Sequence, residues 1–318
     1  MSSTFTIGTR KSELALRQAR IVQQALAARG VAADLVTFDT TGDRRLDEPL
    51  SAIGAKGLFT AELEEALMRG EIDCAVHSLK DLPTDCAFGT EVVAVLERED
   101  PRDVLVRRGG APCASLADLP EGARVGTSSL RRRAQLRAVR PDLEIVELRG
   151  NVPTRIRKVD EGHADAAILA AAGLVRLGMR DRAAAWLGAP DWLPAAGQGA
   201  IAVQVASRRD DVREVLQPLD HPATRTAIRA ERVFLATLEG GCQVPIGALV
   251  VPGTGAGILH GLVADLDGRA IVRGTCQVDA GDPEGAGIHL ANELLVRGGA
   301  EILHSLRALE EIVPPQPE

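Results

Sequence analysis

The sequence predicts an α/β protein with two similar, doubly wound lobes, followed by a smaller α+β domain. Two internal echoes indicate the lobes. IGTRKSELALRQAR, from residue 7, and VGTSSLRRRAQLR, from residue 125, share the order of strand, Gly-Thr, polar turn and helix. GEIDCAVHS, from residue 70, and GHADAAILA, from residue 162, share a glycine, an aspartate and an apolar strand. Because the echoes keep the same order, we expect the first lobe over residues 1–98 with 200–217, and the second over 99–199.

The start of the first lobe has the pattern of an anion-binding turn. A strand is expected over residues 5–8 and a helix over 12–28, with Ser12 as the N-cap of that helix. Arg10 lies in the turn between them, where free backbone N–H groups and the helix dipole favour anions.

An apolar strand over residues 72–76 closes a βαβ unit and ends in the charged turn HSLKDLP. Ligands of open α/β sheets collect outside the carboxyl ends of their strands. There the Asp81 carboxylate, beside Lys80, would stabilise positive charge on a substrate or transfer a proton; a solvated turn is the alternative. The glycine-rich stretch 40–56, which carries Lys56, is either a lid over such a site or only a connection.

The second lobe concentrates positive charge. Residues 124–158 contain ten basic and three acidic side chains, a local charge of +7 in a chain whose net charge is −7. Guanidinium groups bind carboxylates and phosphates through paired hydrogen bonds, and the hydroxyls of residues 127–129 add donors beside Arg131 and Arg132. We therefore expect a small anionic ligand. A solvated helix face is the alternative, since residues 131–133 cover most of a helical turn.

Residues 218–318 have a different pattern, that of an α+β domain. A long amphipathic helix over 224–238 is followed by the turn LEGGCQVPIG, three strand-like runs and a final helix over 283–309. The turn presents Cys242, whose thiol is then a nucleophile or a covalent anchor. A small apolar residue in a tight turn is the alternative. A cysteine-protease site is not supported, because no histidine lies in a comparable motif.

Composition argues against several classes of function. The net charge of −7 disfavours general nucleic-acid binding. The five cysteines form no C-x-x-C pair, so neither a zinc site nor a disulfide framework is expected. The sequence has no run of about 18 apolar residues, so no transmembrane helix is expected. The N-terminus lacks the layout of a signal peptide, so we expect a cytoplasmic protein.

Ten motifs, in order over residues 7 to about 250, resemble those of the porphobilinogen deaminase (hydroxymethylbilane synthase) family. They are RKSELAL, GDRRLDEPL, GAKGLF, AVHSLKDLP, EREDPRD, GTSSLRRRAQL, LRGNVPTR, ILAAAGL, LPAAGQGA and LEGGCQVPIG. The resemblance implies a transferase of tetrapyrrole, porphyrin and heme biosynthesis. It would link four porphobilinogen molecules head to tail into hydroxymethylbilane and release ammonia at each step. It also implies lobes of the periplasmic-binding-protein type II kind, with a dipyrromethane cofactor in the cleft between them and a thioether to Cys242.

The resemblance further implies a role for each matching residue. Asp81, with Lys80, would be catalytic, because a carboxylate stabilises the cationic azafulvene that forms when ammonia departs. The implied cofactor-binding residues are Arg10, Ser12, Lys80, Asp81, Thr127, Ser128, Ser129, Arg131, Arg132, Arg149, Arg155, Gln198, Gly199 and Cys242. The implied substrate-binding residues are Arg10, Lys56, Phe59, Arg149, Arg155 and Arg176. Ala52 stands where many family members have a lysine, so one cation of the expected lid is missing.

The implied partner is the small-molecule substrate, porphobilinogen. The resemblance implies a monomer, and neither a metal site nor binding to a membrane or a nucleic acid is expected. Proteins of other classes share parts of the pattern. A two-lobed solute-binding protein would explain the arginines, but it would not need Cys242 and would carry an export signal. An effector-binding domain of a transcription regulator would come with a helix-turn-helix segment, which is not visible. A Schiff-base enzyme built on Lys80 would show a bound aldehyde cofactor in an absorbance scan.

Overall fold

The computed structural model describes residues 4–44, 60–238 and 244–312. Four positions singled out in the sequence lie outside the described residues: Ala52, Lys56, Phe59 and Cys242. The chain divides into two compact units, residues 1–99 with 199–225 and residues 100–198 with 226–318.

The first unit is built on a five-stranded sheet with one reversed strand. In spatial order, its strands are β2 (Ala33–Phe38), β1 (Phe5–Arg10), β3 (Cys74–Ser78), β10 (Ile201–Ala206) and β4 (Thr90–Val95). β1 is parallel to β2 and β3, whereas β10 is antiparallel to β3 and β4. All six residues of β10 are buried, as expected for a strand covered on both faces.

Helices cover both faces of this sheet. They are α1 (Glu13–Ala27), α2 (Thr41–Arg44), α3 (Ala61–Arg69) and α7 (Asp210–Leu216), with a 3₁₀ turn at Leu79–Asp81. Cys74 and Val76 pack in one cluster with α1, whereas Ala75 packs in another with α3, because alternate side chains of a strand point to opposite faces. Ser12 caps α1, as predicted, by accepting a hydrogen bond from the N–H of Ala15.

The second unit contains a sheet of the same design. In spatial order, its strands are β7 (Glu144–Val146), β6 (Arg124–Gly126), β8 (Ala166–Ala170), β5 (Asp103–Arg107) and β9 (Ala183–Leu187). β6 is parallel to β7 and β8, and β5 is antiparallel to β8 and β9. If the reversed strands β10 and β5 are set aside and the other four are counted in chain order, both sheets have the spatial order second, first, third and fourth. In both, the reversed strand lies between the third and the fourth. This shared order confirms the predicted pair of similar, doubly wound lobes of the periplasmic-binding-protein type II kind.

The elements of the second sheet follow the predicted pattern, with two additions, the helix Ala171–Arg176 and the strand β9. Its helices are α4 (Leu130–Val139), α5 (Val152–Asp160) and α6 (Ala171–Arg176). β9 was not predicted, since its sequence AAAWL lacks the β-branched residues that favour strands. Pairing with β5 makes this segment a strand.

The C-terminal region is a small α+β arrangement, as predicted. Its elements are α8 (Pro222–Thr237), β11 (Ile246–Val251), β12 (Ile258–Ala264), β13 (Ile271–Gln277), α9 (Pro283–Leu294) and α10 (Ala300–Ile312). The strands form an antiparallel sheet in chain order. The single final helix expected over 283–309 is two helices, because Gly298, at φ 109°, interrupts it within Leu295–Gly299. The boundaries drawn at 98, 199 and 217 from the sequence stay predictions.

Two properties of the described residues bear on function. None of their helices is long and apolar enough to cross a membrane. No group of three His, Cys, Asp or Glu side chains among them is placed to hold a metal ion.

Candidate active site

The first unit has a small polar pocket at the carboxyl ends of two neighbouring strands. β1 and β3 are parallel, with Gly8 opposite Ala75, so Arg10 and the turn after β3 lie at the same edge of the sheet. The polar residues that line the pocket are Arg10, Ser12, Gln18, Thr60, His77, Ser78 and Asp81. Its volume of about 70 Å³ has room for several waters or for one carboxylate group. The pocket thus brings together Arg10, Ser12 and Asp81 from the predicted set.

Hydrogen bonds order the walls of this pocket. Gln18 of α1 is bonded to Ser78, with 2.8 Å between Nε2 and Oγ. The Oγ of Ser12 accepts the N–H of Ala15 at 3.3 Å, which leaves its own O–H as a donor. Lys80 and Asp81 follow β3 in the 3₁₀ turn, where both are half-buried. The turn therefore holds a cation and a carboxylate at the carboxyl end of β3.

His77 belongs to the same pocket and had no role in the sequence analysis. Only 5% of its surface is exposed. Burial lowers the pKa of His77 to about 4, with the charge of Arg10 adding to the effect and a contact with Gln204 opposing it. The imidazole is therefore neutral near pH 7. The signal for it was its position in the apolar strand CAVHS, which predicts burial.

The polar turn of the second unit joins β6 to α4. Ser129 is the N-cap of α4, and its Oγ accepts the N–H of Arg132 at 3.5 Å. Ser128 Oγ donates to the carbonyl of Leu148 at 3.0 Å, and Thr127 Oγ1 accepts the N–H of Ser129 at 3.2 Å. These bonds hold three hydroxyls at the carboxyl end of β6, whereas Ser12 is the corresponding hydroxyl after β1 in the first unit.

Arg131 and Arg132 of α4 are buried and bind one carboxylate, that of Asp103. Arg131 Nη1 donates to Oδ2 at 2.9 Å, and Arg132 Nη2 donates to Oδ1 at 2.7 Å. Asp103 is 0% exposed, and each arginine is 5% exposed. Burial alone would raise the pKa of the Asp103 carboxyl, but the charges and hydrogen bonds of the arginines hold it well below its usual range. The cluster is therefore ionised and carries one excess positive charge.

Asp103 was not among the predicted site residues. The only signal for it was its place at the end of the motif EREDPRD, directly before an apolar strand. Gln198, which was predicted, joins the same carboxylate, with its Nε2 at 2.8 Å from Oδ1. The structure thus brings Arg131, Arg132 and Gln198 together around a residue that the sequence analysis missed.

Three further predicted arginines lie on other elements of the second unit. Arg149 follows β7, and its Nη1 is buried without a hydrogen-bond partner among the described residues. Arg155 lies in α5 and donates from Nε to the carbonyl of Gly150 at 2.7 Å. Arg176 ends α6 and is half-buried. Arg149 and Arg155 thus lie at the β7–α5 connection, whereas Arg176 lies at the end of α6.

Gly199 lies in the first unit, in a conformation that requires glycine. Its φ is +90°, and an added Cβ would lie 2.4 Å from the carbonyl oxygen of Glu99. The described site residues thus form two sets. Arg10, Ser12, Lys80, Asp81 and Gly199 are in the first unit, and the hydroxyls, Gln198 and the other arginines are in the second. Lys56, Phe59 and Cys242 lie outside the described residues.

The two lobes share the same strand order, and each has guanidinium and hydroxyl groups at the carboxyl ends of its strands. This arrangement defines a protein that binds a small polyanion. Residues 5–214 match the family model "Porphobilinogen deaminase, dipyromethane cofactor binding domain", and residues 225–296 match "Porphobilinogen deaminase, C-terminal domain". The chain therefore belongs to the porphobilinogen deaminase family, transferases of tetrapyrrole biosynthesis that polymerise porphobilinogen into hydroxymethylbilane. The family, the activity and the dipyrromethane cofactor predicted from the motifs are confirmed.

Individual relatives resemble the chain along its whole length. The porphobilinogen deaminase of Roseiflexus castenholzii is 50% identical over 305 residues, which are 95% of this chain and 99% of the relative. That of Moorella thermoacetica is 51% identical over 304 residues, 95% of this chain and 96% of the relative. Among solved structures, the methionine-binding protein MetQ is 15% identical, with a TM-score of 0.43 over 74% of this chain and 94% of its own.

The second unit fits a cofactor that carries carboxylates, as a dipyrromethane does. The Asp103 cluster has one more cation than anion. Arg132 Nε and Arg149 Nη1 are buried donors without a partner among the described residues. A buried donor left unpaired costs free energy, so a carboxylate bound at either would be stabilised.

Proposed function

We propose that this chain joins four porphobilinogen molecules with Asp81 and Lys80 at the reacting centre and with its buried arginines on the carboxylates. The observation that supports this best is the Arg131–Asp103–Arg132 cluster, because a merely solvated helix face would expose these side chains. Each pyrrole carries an acetate and a propionate, so a growing chain needs many cations. The dipyrromethane group, when bound, supplies the free pyrrole carbon to which the first substrate is joined.

Asp81 and Arg10 would act on opposite charges in the first-unit pocket. Arg10 would bind a carboxylate of the substrate at the start of α1, where the helix dipole also favours an anion. The Asp81 carboxylate would stabilise the positive charge that develops on the pyrrole as the aminomethyl group, already protonated near neutral pH, leaves as ammonia. Because Asp81 is half-buried on a short turn, its charge is in place before the reaction and needs little reorganisation.

The remaining polar residues would divide the carboxylates between them. Arg131, Arg132 and Gln198, together with Ser12 and the hydroxyls of residues 127–129, are proposed to bind the cofactor. Arg149 and Arg155 would contact both cofactor and substrate, and Arg176 only substrate. The unpaired Nη1 of Arg149 supports a ligand contact there.

Three assignments are supported by the family motifs alone. Cys242 in LEGGCQVPIG would carry the cofactor through a thioether, and Lys56 and Phe59 in GAKGLF would contact the substrate. A cytoplasmic monomer that binds neither nucleic acid nor membrane also stays part of the proposal. The net charge of −7 and a substrate of small size support it.

The mass of the intact, denatured protein tests the covalent assignment. It should exceed the sequence mass by two porphobilinogen units less two ammonias, because one ammonia is lost with each bond formed. Cys242→Ser should lack that excess, whereas the matched control Cys276→Ser should keep it. An active wild type with only the sequence mass would remove the cofactor from Cys242.

A further inference from the structure

We propose that Asp103 is a positioning residue, which holds the guanidinium groups of Arg131 and Arg132 in the orientation that binds one carboxylate of the cofactor. The inference rests on the proposed function, in which these two arginines bind the cofactor. It adds the residue on which their orientation depends.

The Asp103 carboxylate is saturated with protein donors. Oδ1 accepts Arg132 Nη2 at 2.7 Å and Gln198 Nε2 at 2.8 Å. Oδ2 accepts Arg131 Nη1 at 2.9 Å and the indole Nε1 of Trp192 at 2.8 Å. Three of these four donors belong to residues proposed to bind the cofactor. One buried acceptor therefore orients all three, and its own position is fixed at the start of β5.

Backbone carbonyls complete the hold on each guanidinium. Arg131 Nη1 also donates to the carbonyl of Leu193 at 2.6 Å, and Arg132 Nη1 donates to that of Ile168 at 2.9 Å. A guanidinium has five N–H donors in a rigid fork, so fixing one side of it aims the other. The Nε of Arg132 is such a remaining donor, buried without a partner among the described residues. This donor is therefore available to a ligand oxygen.

Charge sets how many carboxylates the cluster takes. Two buried guanidinium groups side by side repel, and Asp103 offsets one of the two charges. One excess positive charge remains in a buried site, where an unpaired ion is unfavourable. A single ligand carboxylate would neutralise it. The pair is thus matched to one carboxylate and not to two.

The test must separate orientation from simple charge balance. In Asp103→Asn/Arg131→Gln, one anion and one cation are removed together, so the cluster keeps its charge of +1. Arg131→Gln alone, which lacks the same cofactor-binding arginine but keeps Asp103, is the reference for this double variant. Asp103→Glu keeps the charge and moves the carboxylate by one methylene. Asp165→Asn is the matched control, since Asp165 pairs with Arg124 in the same unit and outside the site. Each protein is incubated with porphobilinogen, and the cofactor increment is read from the intact mass.

If Asp103 positions the arginines, the double variant should load less cofactor than Arg131→Gln despite its extra positive charge, and Asp103→Glu should carry the increment in a fraction at least about tenfold smaller than wild type. Their far-UV spectra should match that of Cys242→Ser, which lacks cofactor for another reason, whereas their thermal midpoints should be lower because buried donors lose a partner. Asp165→Asn should load like wild type. If either Asp103 variant loads fully, the carboxylate only balances charge and the inference is overturned. A wild type that is active without the increment would instead refute the cofactor site at Cys242.

Discussion

The buried His77 makes the stability of the first unit depend on pH in a way that can be calculated. Its folded pKa is about 4, against an ordinary value of 6.5, chiefly because burial disfavours the charged imidazole. The unfolded chain therefore binds a proton at higher pH than the folded one. The stability that neutral His77 contributes is complete above pH 6.5 and is lost as the pH falls from 6.5 towards 4.

The size of the effect follows from the two pKa values. A shift of one unit corresponds to about 1.4 kcal/mol, so the full loss is about 3 kcal/mol. At pH 5 the unfolded imidazole is almost fully protonated and the folded one is still neutral, which gives a loss of about 2 kcal/mol. His77→Gln keeps a polar side chain without a titration in this range, so it should lack this component.

Urea unfolding, followed by far-UV circular dichroism at pH 7.0 and pH 5.0, measures the difference. Between these values, wild type should lose about 2 kcal/mol more of its free energy of unfolding than His77→Gln. Carboxylates that also titrate are common to both proteins and cancel. Equal losses in wild type and His77→Gln would refute the argument.

Two predictions concern the proposed chemistry. Asp81→Asn should lower the rate of tetrapyrrole formation from porphobilinogen by about 10²–10³, because it removes a preorganised charge, while Asp81→Glu should keep part of it. The cofactor content of Asp81→Asn should be normal if preformed cofactor is supplied. An Asp81→Asn variant as fast as wild type would exclude Asp81 from the mechanism. Arg149→Leu should load cofactor, by intact mass, yet add substrate poorly and with a raised KM, since a donor for a substrate carboxylate is lost. An unloaded Arg149→Leu protein would contradict this prediction and show that cofactor assembly requires Arg149 in addition to Arg131 and Arg132.

The sequence by itself determined the local structure, the fold class and the family. Ser12 and Asn151 cap their helices and Gly70 ends another, because caps depend on residues within a few positions. The alternation of apolar strands and helices predicted an α/β fold, and the two internal echoes predicted that it consists of two similar lobes. The motifs around Arg10 and Asp81 predicted that both are site residues, and the structure places them in one pocket. They meet there because parallel strands that end at the same edge of a sheet bring the residues after them together.

Only the tertiary structure decided the reversed strands, the strand β9 and the buried pairing of Asp103. The partners of the Asp103 carboxylate lie 28, 29, 89 and 95 residues away in the chain, so no local pattern marks them. Likewise, the burial of His77 depends on what packs around β3. In each case the deciding quantity is the free energy of removing a polar group from water and pairing it, which is set by neighbours distant in sequence.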